Sequence, residues 1–331
     1  MDQEIYPGDS QEQDRMPAGQ PEAPAAPAAP QEQDRMTGAS KSDFIGRLKS
    51  QKWLLFSAFG LVGGMAGTLL SLLTPGVGDE HNWQVIIEQV IWTALTASLL
   101  TGSLFVANDF YERRRLSPRV FSSGVLIGIL AGAVSGGVAQ AIFNMRPDLE
   151  GWTGAIVQAL CWGVMGGLLG AFLSRAMANF GAIKGALGGF IGGTVGGLIF
   201  LIVVNAITDL LPGSSKLARE TFGLMIGVGI LGASLGFVMV VVEKIFREAS
   251  LEVVWSPNES SFFNLGSQPI YIGGGRDDEI YIRGLGERHS HVVFADGAVE
   301  YVDAESQKRT PLRNESSIQV GPLKLVIHAA A

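Results

Sequence analysis

Glycine recurs at every fourth position from residue 181 to residue 197, and this spacing constrains the fold more than any other feature of the chain. The segment reads GAIKGALGGFIGGTVGG, with a second glycine row at 188, 192 and 196. A spacing of four places each row along one side of a helix. Such a helix is unstable in water, because each interior glycine costs about 1 kcal/mol relative to alanine. Together with the apolar run at 199–207, the rows predict a transmembrane helix over 180–206, whose small residues let a neighbouring helix approach closely.

The composition fits a membrane domain joined to soluble parts better than one globular domain. Of 331 residues, 44 are glycine, 47% are hydrophobic and only 17% are charged. The net charge of −7 argues against a nucleic-acid partner. The single cysteine, Cys161, excludes an intramolecular disulfide and a CxxC metal site, so no metal or other cofactor is expected. Residues 1–50 are rich in Pro, Ala and Gln, contain no apolar stretch typical of a signal peptide, and are predicted to be a disordered cytoplasmic segment.

Six apolar segments are each long enough to cross about 30 Å of hydrocarbon, which takes about 20 helical residues. They cover 53–73, 86–108, 120–143, 152–174, 180–206 and 220–243. Basic residues alternate between the flanking segments: twelve lie in the N-terminal flank, the second and fourth loops and the segment after the sixth helix, against three in the other loops. The positive-inside rule then predicts a multi-pass protein of the cell inner (plasma) membrane with both termini in the cytoplasm.

The six helices are predicted to be three copies of one helical hairpin. The third and fifth helices share a row of helix-packing glycines at a constant offset of 61, formed by Gly124, Gly128, Gly132 and Gly136 and by Gly185, Gly189, Gly193 and Gly197. The fourth and sixth helices share three further glycines at an offset of 66. A glycine face needs another helix to cover it, so the copies are expected to pack against one another. Packing against a second copy of the chain, in a homo-oligomer, is the other possibility. Chance similarity between glycine-rich segments is the alternative.

Five polar residues stand within the predicted spans: Glu88, Gln89, Gln140, Gln158 and Asn205. The amides are expected to hydrogen-bond neighbouring helices together, and the Glu88 carboxylate to reach the membrane interface. The spans contain no cluster of Asp, Glu and His and no broken helix of the kind that transporters use. A channel or transporter is therefore the less favoured reading of this domain.

From residue 250 onward the pattern changes to strands. Segments with alternating or continuous apolar residues lie at 251–255, 261–265, 269–273, 279–283, 291–295, 299–303 and 323–329, with Pro, Gly, Asn and Asp between them. Short strands at such regular spacing are typical of a β-sandwich. The predicted fold class is an α-helical membrane bundle at 53–245 followed by an all-β sandwich at 250–331.

The run IYIGGGRDDEIYIRGLGERHSHVVF, with the later DGAVEYVDAESQKRT and GPLKLVI, resembles a forkhead-associated (FHA) domain. Positions of the family scaffold match at 272–273, at 279–282, at 288–289, and at Gly321 and Leu325. The resemblance implies a β-sandwich that binds phosphothreonine peptides through loops at one end, with His289 as a structural residue. It covers about residues 251–328 and says nothing direct about the helices.

Three phosphate-binding positions depart from the family pattern. Gly274 stands where the family has arginine, Gly286 where it has serine, and Lys308-Arg309 where it has Asn-Gly. Because phosphate recognition usually needs such charge-assisted donors, weak phosphothreonine binding is expected, and Gly274→Arg with Gly286→Ser is expected to raise the affinity. A rearranged anion site is the alternative to a purely structural role, and its candidate residues are Arg276, Arg288, Ser306, Lys308 and Arg309.

No nucleophile–base pair or ligand cluster stands at motif spacing, and GGGR precedes a strand rather than a helix, so an enzyme is not predicted. The leading hypothesis is a membrane-anchored adaptor or scaffold whose FHA-like domain binds a protein partner, including one that carries phosphothreonine. The alternative is a glycine-rich channel or transporter that this domain regulates.

Overall fold

The computed structural model describes residues 51–74, 82–114, 118–149, 151–210, 215–257, 259–275, 277–295 and 297–329. The predicted disordered segment 1–50 and Arg276 lie outside the described residues.

Among the described residues, six helices are long and apolar enough to cross a membrane, as the sequence predicts. They are α1 (Lys52–Ser71), α2 (Asn82–Tyr111), α3 (Pro118–Met145), α4 (Gly151–Leu173), α5 (Ala182–Leu210) and α6 (Lys216–Ile245). Helix α6 begins after Ser215, whose Oγ accepts a hydrogen bond from the Ala218 N–H at 3.2 Å. Helices α2 and α6 have 30 residues each, or about 45 Å at 1.5 Å per residue, which exceeds the thickness of the hydrocarbon.

The helices form a closed ring in which each packs against its neighbours in chain order and α6 packs against α1. The glycine rows lie at the contacts between successive hairpins, where a Cβ would overlap a carbonyl oxygen of the facing helix. Equivalent overlaps would arise in three places: Gly60 with Gly232, Gly128 with Ala97, and Gly189 with Gly166. The rows therefore join α1 to α6, α3 to α2 and α5 to α4, which is the packing that three stacked hairpins require.

The even-numbered helices fill the centre of the ring with three layers of side chains. Each layer takes one residue from α2, one from α4 and one from α6, at positions related by the repeat, and every member is at most 2% exposed. The layers are Thr96, Met165 and Leu231; Leu100, Leu169 and Leu235; and Leu104, Leu173 and Met239. The eight apolar members belong to one core cluster.

The expectation that amide side chains join the helices is wrong. The Gln140 Nε2 atom donates to Asn144 Oδ1 at 3.0 Å, and the Asn205 Nδ2 atom donates to the Leu201 carbonyl at 2.9 Å, in both cases within one helix. Gln89 and Gln158 have no side-chain hydrogen-bond partner within the described part of the chain.

Short hydroxyl side chains make the hydrogen bonds between helices instead. The Thr93 Oγ1 atom donates to the Gly132 carbonyl at 2.9 Å, and the Ser103 Oγ atom donates to the Phe59 carbonyl at 2.9 Å. A hydroxyl reaches a neighbouring backbone only where the helices lie close together, and the glycine rows provide that closeness.

The C-terminal part is a sandwich of two sheets, as predicted. Its strands are β1 (Ala249–Ser256), β2 (Glu259–Leu265), β3 (Ile270–Gly273), β4 (Ile280–Tyr281), β5 (Ser290–Ala295), β6 (Ala298–Asp303), β7 (Arg309–Leu312), β8 (Ser317–Val320) and β9 (Leu323–Ala329). One sheet has the order β2-β1-β9-β8 and the other β4-β3-β5-β6-β7, and every pair is antiparallel except β3 with β4. The sequence prediction missed β7 and β8, which are edge strands with mostly exposed side chains.

Candidate functional site

A buried carboxylate, Glu243 near the end of α6, joins the bundle to the sandwich. Its oxygens lie 2.7 and 2.8 Å from the Lys52 Nζ atom of α1 and accept a hydrogen bond of 2.9 Å from the Asn264 side chain of β2. The guanidinium of Arg247 lies 3.5 Å away. Glu243 is 1% and Lys52 7% exposed, so the two charges depend on each other for stabilisation.

The end of α2 holds the same strand through Tyr111. The tyrosine hydroxyl accepts a hydrogen bond from the Phe262 N–H at 2.9 Å, and its backbone carbonyl accepts one from Ser261 Oγ at 2.9 Å. The Lys52 ammonium lies 5.0 Å from the centre of the tyrosine ring, a cation–π contact. Glu112, the next residue of the chain, is also buried, and this burial raises the pKa of its carboxyl group.

A third attachment comes from Asn179 in the connection between α4 and α5. Its side-chain amide donates to the carbonyls of Asn264 and Gln268 at 3.0 Å each, and its Oδ1 atom accepts from the Gln268 N–H at 3.1 Å. The backbone of Asn179 has a φ of 53°, a conformation that asparagine tolerates better than most residues. The sandwich is therefore held at and just after β2 from α2, α6 and the α4–α5 connection, and Lys52 of α1 supports Glu243 and Tyr111 at this junction.

The described residues of the predicted anion site, Arg288, Ser306, Lys308 and Arg309, lie in or beside loops at one end of the sandwich. We call the described residues of 274–279 (without 276), 284–289 and 304–308 the recognition loops. The buried Asp278 joins the first two, because its Oδ2 atom accepts from the Gly275 N–H at 2.7 Å and from the Arg288 N–H at 3.1 Å. The Ala304 N–H donates to the His289 carbonyl at 3.0 Å and joins the third loop. Arg288 is exposed, and its guanidinium lies 4.9 Å from the Tyr271 ring centre.

The third recognition loop contains two of the predicted residues, Ser306 and Lys308, and the hydroxyl of Ser306 is engaged. The hydroxyl and N–H of Ser306 both donate to Asp303 Oδ1, at 2.9 and 2.8 Å, and these bonds hold the pKa of the Asp303 carboxyl below its ordinary value. The Ser306 hydroxyl is thus engaged within its own loop. The Lys308 side chain is exposed.

Arg309 lies on the outer face of the second sheet. Its guanidinium lies 3.3 Å from the Glu300 carboxylate on the neighbouring strand β6. Across the sheet, burial and then the Arg309 charge lower the pKa of His291. The His291 ring lies 5.5 Å from the Tyr271 ring, over which the Arg288 guanidinium lies, so Arg309 and Arg288 share this outer face.

The two glycines at the family's phosphate-binding positions differ in the space around them. A Cβ at Gly274 would overlap the Leu285 carbonyl oxygen, and the Gly274 N–H donates to the Gly286 carbonyl at 2.8 Å. A Cβ at Gly286 would meet nothing within 4 Å. A side chain at 274 would have to displace the second recognition loop, so within the predicted double change the steric cost lies at Gly274→Arg and not at Gly286→Ser.

The recognition loops lie at the end of their sheet that is remote from the bundle. At the near end, Gln268 is bonded to Asn179, and the Phe294 N–H donates to the Gly266 carbonyl at 3.0 Å. Strand β3 runs away from this end and β5 runs back towards it. At about 3.3 Å per residue, β3 places the recognition loops about 13 Å from the attachment.

No family model, curated protein or solved structure matches this chain.

Proposed function

We propose that this multi-pass membrane protein is an inner-membrane adaptor that presents its FHA-like β-sandwich to a protein partner at the cytoplasmic surface. The observation that carries the proposal is the orientation of the sandwich. It is attached to the bundle through β2, and its recognition loops are directed away from that attachment. A domain held in this way keeps its exposed loops accessible to a partner.

The chemistry of the recognition loops favours an acidic partner segment. Arg288 and Lys308 are exposed on loops that contact one another, while Ser306 and Asp303 satisfy each other. The resemblance to the FHA family suggests a phosphothreonine segment, bound weakly because Gly274 and Gly286 supply no side-chain donors. The proposed role is non-catalytic.

The orientation is tested with cysteines at the two ends of α3, in a Cys161→Ala background. Arg119→Cys and Met145→Cys are both exposed positions. We expect a membrane-impermeant maleimide to label the cysteine at 145 in intact cells and the cysteine at 119 only after lysis. The reason is that the basic loops lie at the same end of the bundle as the sandwich. The opposite labelling would place the sandwich outside the cytoplasm.

The adaptor role is tested by capture of partner proteins with the full chain in detergent, with and without phosphatase treatment. We expect Arg288→Glu with Lys308→Glu to remove the captured partner, because two like charges would then face its acidic segment. Lys324→Glu, an exposed lysine on β9 in the other sheet, is the matched control and should leave capture unchanged. Equal capture by the wild type and the double variant would contradict the proposal.

A channel or transporter is the second candidate, favoured by a pocket with polar side chains inside the bundle. The three buried layers at the centre of the ring favour the adaptor, since closely packed side chains leave no room for a solute there. Solute flux in proteoliposomes would make a channel or transporter the preferred function and the adaptor the second candidate.

A further inference from the structure

A pocket of about 370 Å³ lies between α2, α3 and α4 in the half of the bundle that is remote from the sandwich. Its polar lining includes the side chains of Gln89, Gln140 and Gln158, and its apolar lining includes Trp162 and Met165. The three glutamines are partly exposed, so the pocket opens to the surface of the bundle. Its volume is within the range of small-molecule sites, about 300–1,000 Å³.

The pocket lies at the one contact in the ring where the repeat is broken. Within the other two hairpins, glycines of the odd-numbered helix pack against the even-numbered helix, as Gly67 does against Thr96 and Gly196 against Leu231. The equivalent position in α3 is Ser135. The contact between α3 and α4 is the loosest in the ring, and Ser135 and Met165 line the pocket between them.

The polar lining of the pocket consists of uncharged hydrogen-bonding groups, among them the glutamine amides. Gln89 and Gln158 have no side-chain hydrogen-bond partner within the described ranges. None of the residues lining the pocket carries a charge at neutral pH. An ion would lose its hydration here without gaining a counter-charge, whereas a hydroxyl or carbonyl group would gain hydrogen bonds.

We propose that this pocket binds an uncharged amphiphile from the surrounding lipid. Its hydroxyl or carbonyl head bonds to the glutamine amides, and its apolar body packs against Trp162 and Met165 and extends between α3 and α4. This binding is independent of the partner recruited by the sandwich.

Cys161 gives a direct test, because it lines the pocket and is the only cysteine of the chain. The full chain in phosphatidylcholine nanodiscs, which avoid competing detergent, is alkylated with N-ethylmaleimide while monodecanoylglycerol is titrated. We expect this uncharged probe to slow alkylation. Decanoate, which has the same chain length and a negative charge, is expected to need a concentration at least about tenfold higher.

Gln89→Leu with Gln158→Leu is expected to raise the half-protecting concentration of monodecanoylglycerol about tenfold, because two neutral hydrogen bonds are lost. Asn205→Leu removes an amide that lies in α5 and bonds within its own helix, and should leave protection unchanged. If Cys161 is alkylated too slowly to measure, the melting temperature is measured instead while monodecanoylglycerol is titrated. The proposal is overturned by no effect of the probe, by equal effects of decanoate, or by an unchanged response of the double variant.

Discussion

Replacing Gly189 by alanine is expected to destabilise the helical ring by about 1–3 kcal/mol, and replacing it by leucine to disrupt the ring. The alanine Cβ would overlap the Gly166 carbonyl oxygen of α4. Two backbones would then have to separate, which removes contacts along the whole α4–α5 interface. Thermal denaturation in detergent measures the effect.

Gly167 provides the matched control on the facing helix. A Cβ there would lie 3.4 Å from the nearest atom, the Ala186 carbonyl oxygen, which is close to an ordinary contact. Gly167→Ala should therefore be neutral or slightly stabilising, since alanine favours a helix by about 1 kcal/mol relative to glycine. Equal melting temperatures for the Gly189 and Gly167 variants would show that the glycine row is not a packing face.

Glu243→Leu is expected to destabilise the junction between bundle and sandwich by about 3–5 kcal/mol, because it leaves the buried Lys52 ammonium without its counter-charge. It also removes the acceptor of the Asn264 amide in β2. The sandwich should then detach, and trypsin should cleave after Arg247, which is 17% exposed in the intact junction. The time course of that cleavage is the measurement.

Two further variants separate the loss of a buried pair from a general effect of charge. Lys52→Met combined with Glu243→Leu removes both charges and should recover most of the lost stability. The exposed pair Lys216 and Glu220 lies 3.7 Å apart on α6, and Glu220→Ala should cost no more than about 0.5 kcal/mol. Rapid cleavage of the double variant, at the rate seen for Glu243→Leu, would contradict the charge-pairing argument.

The sequence predicts the bundle well because the signals for it are local. Apolar length defines six spans, and glycine spacing defines the faces that pack, so residues such as Gly128 and Gly189 are identified before any contact is known. The junction has no such signal. Lys52 and Glu243 are separated by 191 residues, and nothing near either of them predicts the other. In the sequence alone, Lys52 counts only as one of the basic residues that orient the helices.

The recognition loops show a second limit of sequence reasoning. Gly274 and Gly286 are equivalent departures from the family pattern, yet one is enclosed by the Leu285 carbonyl and the other has open space. The same limit explains the error on the amides, because Gln89 and Asn205 are both polar residues in apolar helices. Only their neighbours decide that one faces a pocket and the other its own backbone.

The ring of three hairpins has the symmetry of a trimer built within one chain. In a true trimer of identical hairpins, any substitution changes all three interfaces at once, and an opening at one would weaken the whole ring. Fusion of the copies removes this restriction. The contacts between hairpins can keep the ring closed while the contact within the second hairpin, between α3 and α4, is free to accumulate substitutions such as serine at 135.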